Sequence, residues 1–228
     1  MRIAEIYFSI QGEGLLTGTE SVFVRAGGCN LRCRFCDTPF TSWHPEGDDL
    51  SVDEILAEAA RFDCKHVVLT GGEPMLFAEA VPLTAAWRRE GRHVTIETAG
   101  TLDLPVHADL MSISPKMSNS TPPAERDPRW HRRHERTRIA PEVLRRLTAD
   151  YPYQLKFVVD AEPDVDEIEG LLPQLPHVDR GRVLLMPQGV DAAELAARGE
   201  WLRPLCRARG FRFCPRKHIE WFGAVRGT

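Results

Sequence analysis

No run in this 228-residue chain approaches membrane-spanning length, and the Met1–Tyr7 stretch lacks the uninterrupted apolar region of a secretory signal. There is no basic surplus either. Lys and Arg total 29 against 33 Asp and Glu, a formal net charge of −4, which argues against nucleic acid or an anionic membrane as the main partner. No internal repeat is visible. Cysteine is sparse: six residues, with only one C-x2-C pair, Cys33–Cys36, while Cys64, Cys206 and Cys214 stand alone. That pattern fits neither a disulfide framework nor a zinc module built from two such pairs. These absences predict a cytoplasmic protein in a reducing compartment, and the length suits one domain over residues 1–228.

Against this background, short apolar runs recur at Val22–Val24, Val67–Leu69, Val94–Ile96, Leu110–Ser114, Leu155–Val159 and Val183–Met186. Near-continuous apolarity of this kind suits strands buried on both faces of a parallel sheet. Helix signals lie between them. Ser51 and Glu54 form a capping box, Pro141 suits a first turn, Asp164 and Asp191 are candidate N-caps, and Gly210 is a candidate terminator. Alternation at this spacing implies right-handed βαβ units, as an open doubly wound sheet or an incomplete barrel. The proline- and arginine-rich stretch Ser118–Arg138 breaks the pattern and reads as a solvated surface loop, with a flap over a site as the functional alternative.

Directly after the first run come Cys29, Cys33 and Cys36, spaced C-x3-C-x2-C. Three thiolates on one short loop can hold three irons of a [4Fe–4S] cubane and leave the fourth iron open to a ligand that is not protein. A zinc loop or structural thiols are the bland reading. Other polar motifs follow the ends of the later runs: Thr70-Gly71-Gly72-Glu73-Pro74, Glu97-Thr98-Ala99-Gly100, Ser114-Pro115-Lys116 and Met186-Pro187-Gln188-Gly189. Ligands bind at this edge in barrels and open α/β sheets. Two residues without Cβ at Gly71-Gly72 let backbone approach a ligand closely. Gln154 and Lys156, two apart in the fifth run, share a face, and a lysine there needs an anionic ligand or an ion-pair partner.

The cysteine loop together with the Gly-Gly-Glu turn resembles the radical S-adenosylmethionine (SAM) superfamily. The N-terminal residues narrow this: Phe8 to Gly14, Gly18, Val22 to Arg25 and Gly28, followed by Asp37-Thr38 after the last cysteine. With the later motifs, in order along nearly the whole chain, they are similar to the 7-carboxy-7-deazaguanine synthase family. The resemblance implies an incomplete (β/α)6 TIM-like barrel and a homodimer. It also implies conversion of 6-carboxy-5,6,7,8-tetrahydropterin to 7-carboxy-7-deazaguanine and ammonia by radical ring contraction, in 7-deazapurine (queuosine) biosynthesis. The implied cofactors are a [4Fe–4S] cluster, SAM and Mg2+, with a flavodoxin or ferredoxin as electron donor.

By the same resemblance Cys29, Cys33 and Cys36 hold the cluster and Thr38 the Mg2+. Phe35, Asp37, Gly72, Ser114, Pro115, Lys116, Met186, Pro187, Gln188 and Gly189 line the SAM site. Ile10, Gln11, Gly12, Arg25 and Thr70 hold the pterin, the backbone of Gln11 and Gly12 reading its amide edge and Arg25 engaging a carboxylate. Ala99 stands where many relatives carry Asn. The long C-terminal tail argues against carrying over a substrate-binding chain end, and His218 reads as a packed or solvated histidine. A glycyl-radical activase and a non-enzymatic metal protein are the rival readings.

Overall fold

The computed structural model describes residues 1–228. Each of the six expected runs is a strand: β2 (Glu20–Ala26), β4 (His66–Gly71), β5 (His93–Thr98), β6 (Leu110–Ile113), β7 (Tyr153–Val159) and β8 (Val183–Pro187). They pair in parallel in that order. Three more strands extend the sheet. β1 (Arg2–Ile10) pairs antiparallel with β2 and with the two-residue β3 (Asp48–Asp49), and β9 (Arg212–Phe213) adds in parallel to β8. The sheet order β3-β1-β2-β4-β5-β6-β7-β8-β9 leaves both ends unpaired, so the barrel is incomplete.

Helices cover the outer face: α2 (Val52–Ala60), α3 (Ala80–Arg89), α5 (Pro141–Asp150), α6 (Glu162–Leu171) and α7 (Ala192–Arg209), with the four-residue α1 (Pro39–Ser42) after the cysteine loop. The crossover from β5 to β6 carries no helix. A core of 34 residues, Trp87 and Phe157 among its largest, lies between helices and sheet. No helix is long and apolar enough to cross a membrane. Ser51 and Glu54 form the capping box of α2, Pro141 opens α5, Asp191 caps α7, and Gly210 ends α7 at φ 73°. Asp164 caps from inside the helix rather than as the N-cap residue itself. Glu162-Pro163 start α6 a turn earlier, which puts Asp164 inside the first turn, where its carboxylate accepts from the Asp160 and Ala161 amides.

The larger correction concerns Ser118–Arg138. It is not an open loop: a 3-10 turn at Ser118–Ser120 leads to a helix, α4 (Pro128–Thr137), capped by Asp127 and packed on the cysteine loop. His134 is fully buried there; its Nδ1 accepts the Arg32 amide at 3.2 Å, and its Nε2 lies 2.9 Å from Ser120 Oγ.

Candidate active site

The open side of the barrel is bridged by the turn after β1 and the segment after β9, rather than by strands. Gln154 Oε1 accepts the Leu15 amide at 2.7 Å, and its Nε2 donates to Ser112 Oγ at 2.7 Å. The Lys217 amide donates to the Gly12 carbonyl at 2.8 Å. A cavity of about 420 Å3 results, within the range of small-molecule sites.

Its first wall is the cysteine loop. Gly28 is anchored at both sides, its amide donating to the Thr41 carbonyl and its carbonyl accepting from Glu73, each at 2.8 Å. A Cβ on Gly72 would collide with the Gly28 and Thr41 carbonyls, so this glycine makes room for the loop's own backbone. Glu73 is fully buried and clamps the next turn: it accepts from Ala99 N at 2.8 Å, Met75 N at 3.1 Å and the Thr98 hydroxyl at 2.8 and 2.9 Å. Its role is to hold two motif turns together.

Cys29, Cys33 and Cys36 are partly exposed in the cavity wall. Cys29 Sγ accepts from the Leu31 amide at 3.4 Å, and Cys36 Sγ lies 3.2 Å from Ser42 Oγ. Burial pushes the Cys29 and Cys33 thiols up to about 12, so metal binding must displace their protons. No three His, Cys, Asp or Glu side chains stand at single-ion spacing. Cluster ligands sit on separate irons and so spread wider than those of one zinc, and the donor set fits a cubane better than zinc.

The second wall is a network of charges. Lys156 Nζ lies 2.5 Å from Glu13 Oε2 and 3.3 Å from Glu97 Oε1. Arg216 donates from Nε to Glu13 at 3.0 Å, from Nη1 to the Gly189 carbonyl at 2.5 Å, and from Nη2 to Asp37. Burial alone would raise the Glu13 carboxyl, but Lys156 and Arg216 outweigh it and hold the group well below the usual carboxylate range. The same contacts raise Lys156 and Arg216 against their own burial. His218 lies 3.8 Å from Glu13, and burial holds its imidazole below the ordinary value.

Between the walls, Arg25 Nε donates to Glu5 and Nη2 to Tyr7 Oη, each at 2.5 Å, which leaves Nη1 without a protein partner. The Thr70 hydroxyl donates to Glu97 at 2.7 Å, and Lys116 Nζ lies 2.7 Å from Ser114 Oγ. Thr38 holds the N-cap position of α1, yet its side chain makes no capping hydrogen bond. The Gln11 amide and carbonyl are taken by Thr19 and Gly18. The backbone groups left open here are the Gly12 amide and the second lone pairs of the two carbonyls.

Residues 23–149 match the radical SAM superfamily. The chain is 46% identical over 227 residues to a 7-carboxy-7-deazaguanine synthase of Rhodopirellula baltica, covering 99% of this chain and 88% of that one. It is also 46% identical to the protein of that name from Halobacterium salinarum, over 95% of this chain and 88% of that one. The chain belongs to the 7-carboxy-7-deazaguanine synthase family. The crystal structure of QueE from Escherichia coli shares the fold, with a TM-score of 0.72 at 24% identity over 95% of this chain and 94% of that one. Membership in this radical SAM family brings a [4Fe–4S] cluster, SAM and Mg2+ as cofactors.

Of the residues that the family pattern singles out, Cys29, Cys33, Phe35, Cys36, Asp37, Thr38, Gly72, Ser114, Lys116 and Met186 line the cavity with Ile10, Gln11, Gly12, Arg25 and Thr70. Pro115, Pro187, Gln188 and Gly189 do not; Gly189 acts through the carbonyl that holds Arg216. Glu13 and Arg216 were not foreseen. The lysine in β7 was the available signal, since a buried cation requires a buried anion. The tail from Gly223 to Thr228 also lines the cavity, and so does His218, which the sequence left as a packed or solvated residue.

Proposed function

We propose that this chain converts 6-carboxy-5,6,7,8-tetrahydropterin to 7-carboxy-7-deazaguanine with loss of ammonia, in 7-deazapurine (queuosine) biosynthesis. The supporting observation is that one cavity joins the cysteine loop, an uncapped Thr38 hydroxyl, the free Nη1 of Arg25 and a fixed set of buried charges. A [4Fe–4S] cluster on Cys29, Cys33 and Cys36, with SAM at its open iron, supplies hydrogen-atom abstraction when bound.

The protein's own groups position the reactants. Lys116 and Ser114 receive the carboxylate of SAM, and Phe35 lies against its adenine. Asp37 is fixed by Arg216, which ties the SAM side of the cavity to Glu13 on the pterin side. Arg25 meets the substrate carboxylate with its remaining N–H groups. Thr38 offers Mg2+ a neutral oxygen, with substrate and water completing the shell. Gly12, Ile10 and Thr70 bound the pterin. The work is assigned to one domain over 1–228, because a single sheet runs through the chain. A homodimer in the cytoplasm, reduced by a flavodoxin or ferredoxin, completes the reading.

The test is product formation. Anaerobically reconstituted protein with SAM, Mg2+, dithionite and the tetrahydropterin should release 7-carboxy-7-deazaguanine and ammonia in equal amounts. Accumulation of 5′-deoxyadenosine with the pterin unchanged would overturn the substrate assignment.

A further inference from the structure

The segment 121–138 holds six arginines against three acidic residues, in a chain whose net charge is −4. Its inner face is spent on the cysteine loop. Besides the His134 contact, Arg34 donates its amide to Ser120 O at 2.8 Å, and the Arg32 guanidinium lies 4.1 Å from the Trp130 ring centre. Arg126 lies 4.0 Å over Trp43, whose Nε1 donates to the Cys33 carbonyl at 3.1 Å. The outer face is left over. Arg129, Arg132 and Arg136, at i, i+3 and i+7, form an exposed stripe, flanked by exposed Arg126 and Arg133. None of these five forms an ion pair with an acidic side chain; of the three nearby acids Asp127 caps the helix, Glu135 bonds Thr121 and Arg138, and Glu125 is exposed ahead of the helix without an ion pair.

Four unpaired like charges on one short helix, with Arg126 just before it, repel one another; Arg126 and Arg133 stack on Trp43 and Trp130, whereas Arg129, Arg132 and Arg136 make no contact of this kind. Guanidinium groups are weakly hydrated and meet carboxylates in bidentate fashion, and a one-signed patch steers an oppositely charged partner. A protein seated here would be separated from the cysteine loop by one helix diameter, ~10–12 Å. We propose that the outer face of α4 is the docking surface for an acidic one-electron carrier protein. One electron passes from the reduced carrier to the cluster; the carrier is oxidised by one electron, and no atoms are transferred. The inference rests on the reading of Cys29, Cys33 and Cys36 as cluster ligands.

The test compares two reductants on the reconstituted enzyme: dithionite, which needs no docking, and a reduced acidic flavodoxin. The variant is Arg129→Glu/Arg132→Glu/Arg136→Glu, with Arg89→Glu/Arg207→Glu as an exposed control elsewhere. Dithionite-driven turnover should match wild type in both. The KM for flavodoxin should rise about 10-fold or more in the triple variant only, and added salt should weaken wild-type binding but barely affect the variant. Unchanged flavodoxin kinetics in the triple variant, or equal loss with both reductants, would overturn the docking assignment. So would retention of flavodoxin kinetics with selective loss of tRNA or duplex DNA binding. Reconstituted wild type without iron and sulfide would fail the cluster reading and overturn the docking assignment with it, an outcome that iron and sulfide analysis distinguishes from failure of the surface alone.

Discussion

The two walls of the cavity are built by different means. The cysteine wall is local: Gly28, Gly72, Glu73 and Thr98 lie in short turns at the ends of neighbouring parallel strands, and backbone hydrogen bonds lock those turns together. The charged wall is assembled over distance, since Glu13 meets Lys156 across 143 positions and Arg216 across 203. Turn chemistry fixes the first wall wherever the strands pair. The second exists only once the turn after β1 and the segment after β9 have closed the barrel. Local turns hold the cysteine loop, and long-range ion pairs shape the opposite side.

The largest expected effect is on the first wall. Cys29→Ala, Cys33→Ala or Cys36→Ala should abolish both cluster and activity, whereas Cys64→Ala, Cys206→Ala and Cys214→Ala should keep the iron; iron and sulfide analysis separates the two sets. On the second wall, Arg216→Met leaves Glu13 and Asp37 without a cation they share. Removing one partner of a buried pair costs about 3–5 kcal/mol, so a fall in thermal midpoint should accompany loss of turnover. Glu13→Gln should do the same by leaving Lys156 and Arg216 short of an anion. If either variant melts like wild type, the charges are not what closes this side.

A smaller, pH-dependent effect tests the clasp between α4 and the cysteine loop. Burial lowers the His134 imidazole to about 4, against an unfolded value near 6.5. Between these values the unfolded chain binds the extra proton, so stability is full above pH ~6.5 and declines as pH falls toward ~4. His134→Gln should flatten that slope in denaturant titrations; an unchanged slope assigns the acid sensitivity elsewhere. Smallest is Ser51→Ala, far from both walls, which removes a cap at about 1 kcal/mol with activity intact.

Legibility followed the same division. The six parallel strands, the Ser51 box, Pro141 and Asp191 depend on patterns a few residues long, and they were readable. β1 was not, because Arg2 to Ile10 mixes charge with apolar residues in a strand that pairs antiparallel. α4 was hidden by its own composition: arginine dominates it, and its buried contribution is the single residue His134. In the site, the turn residues were legible, whereas the partners of Lys156 were not, since no spacing rule links position 13 to 156 or 216. Gly72 was legible as a glycine but not for its full reason, the passage of the Gly28 carbonyl.

Thr38 lies where the two walls meet, beside Cys36 at 3.9 Å and with no cap to make. Product formation measured against Mg2+ concentration, for wild type and Thr38→Ala with SAM affinity as control, tests the account most directly. Wild type should require Mg2+. Thr38→Ala should lose about 100-fold in rate, the cost of a small misplacement of reacting atoms, with SAM binding and iron content unchanged. Full turnover by EDTA-treated wild type, or a Thr38→Ala variant whose only defect is ~1 kcal/mol of stability, would contradict it.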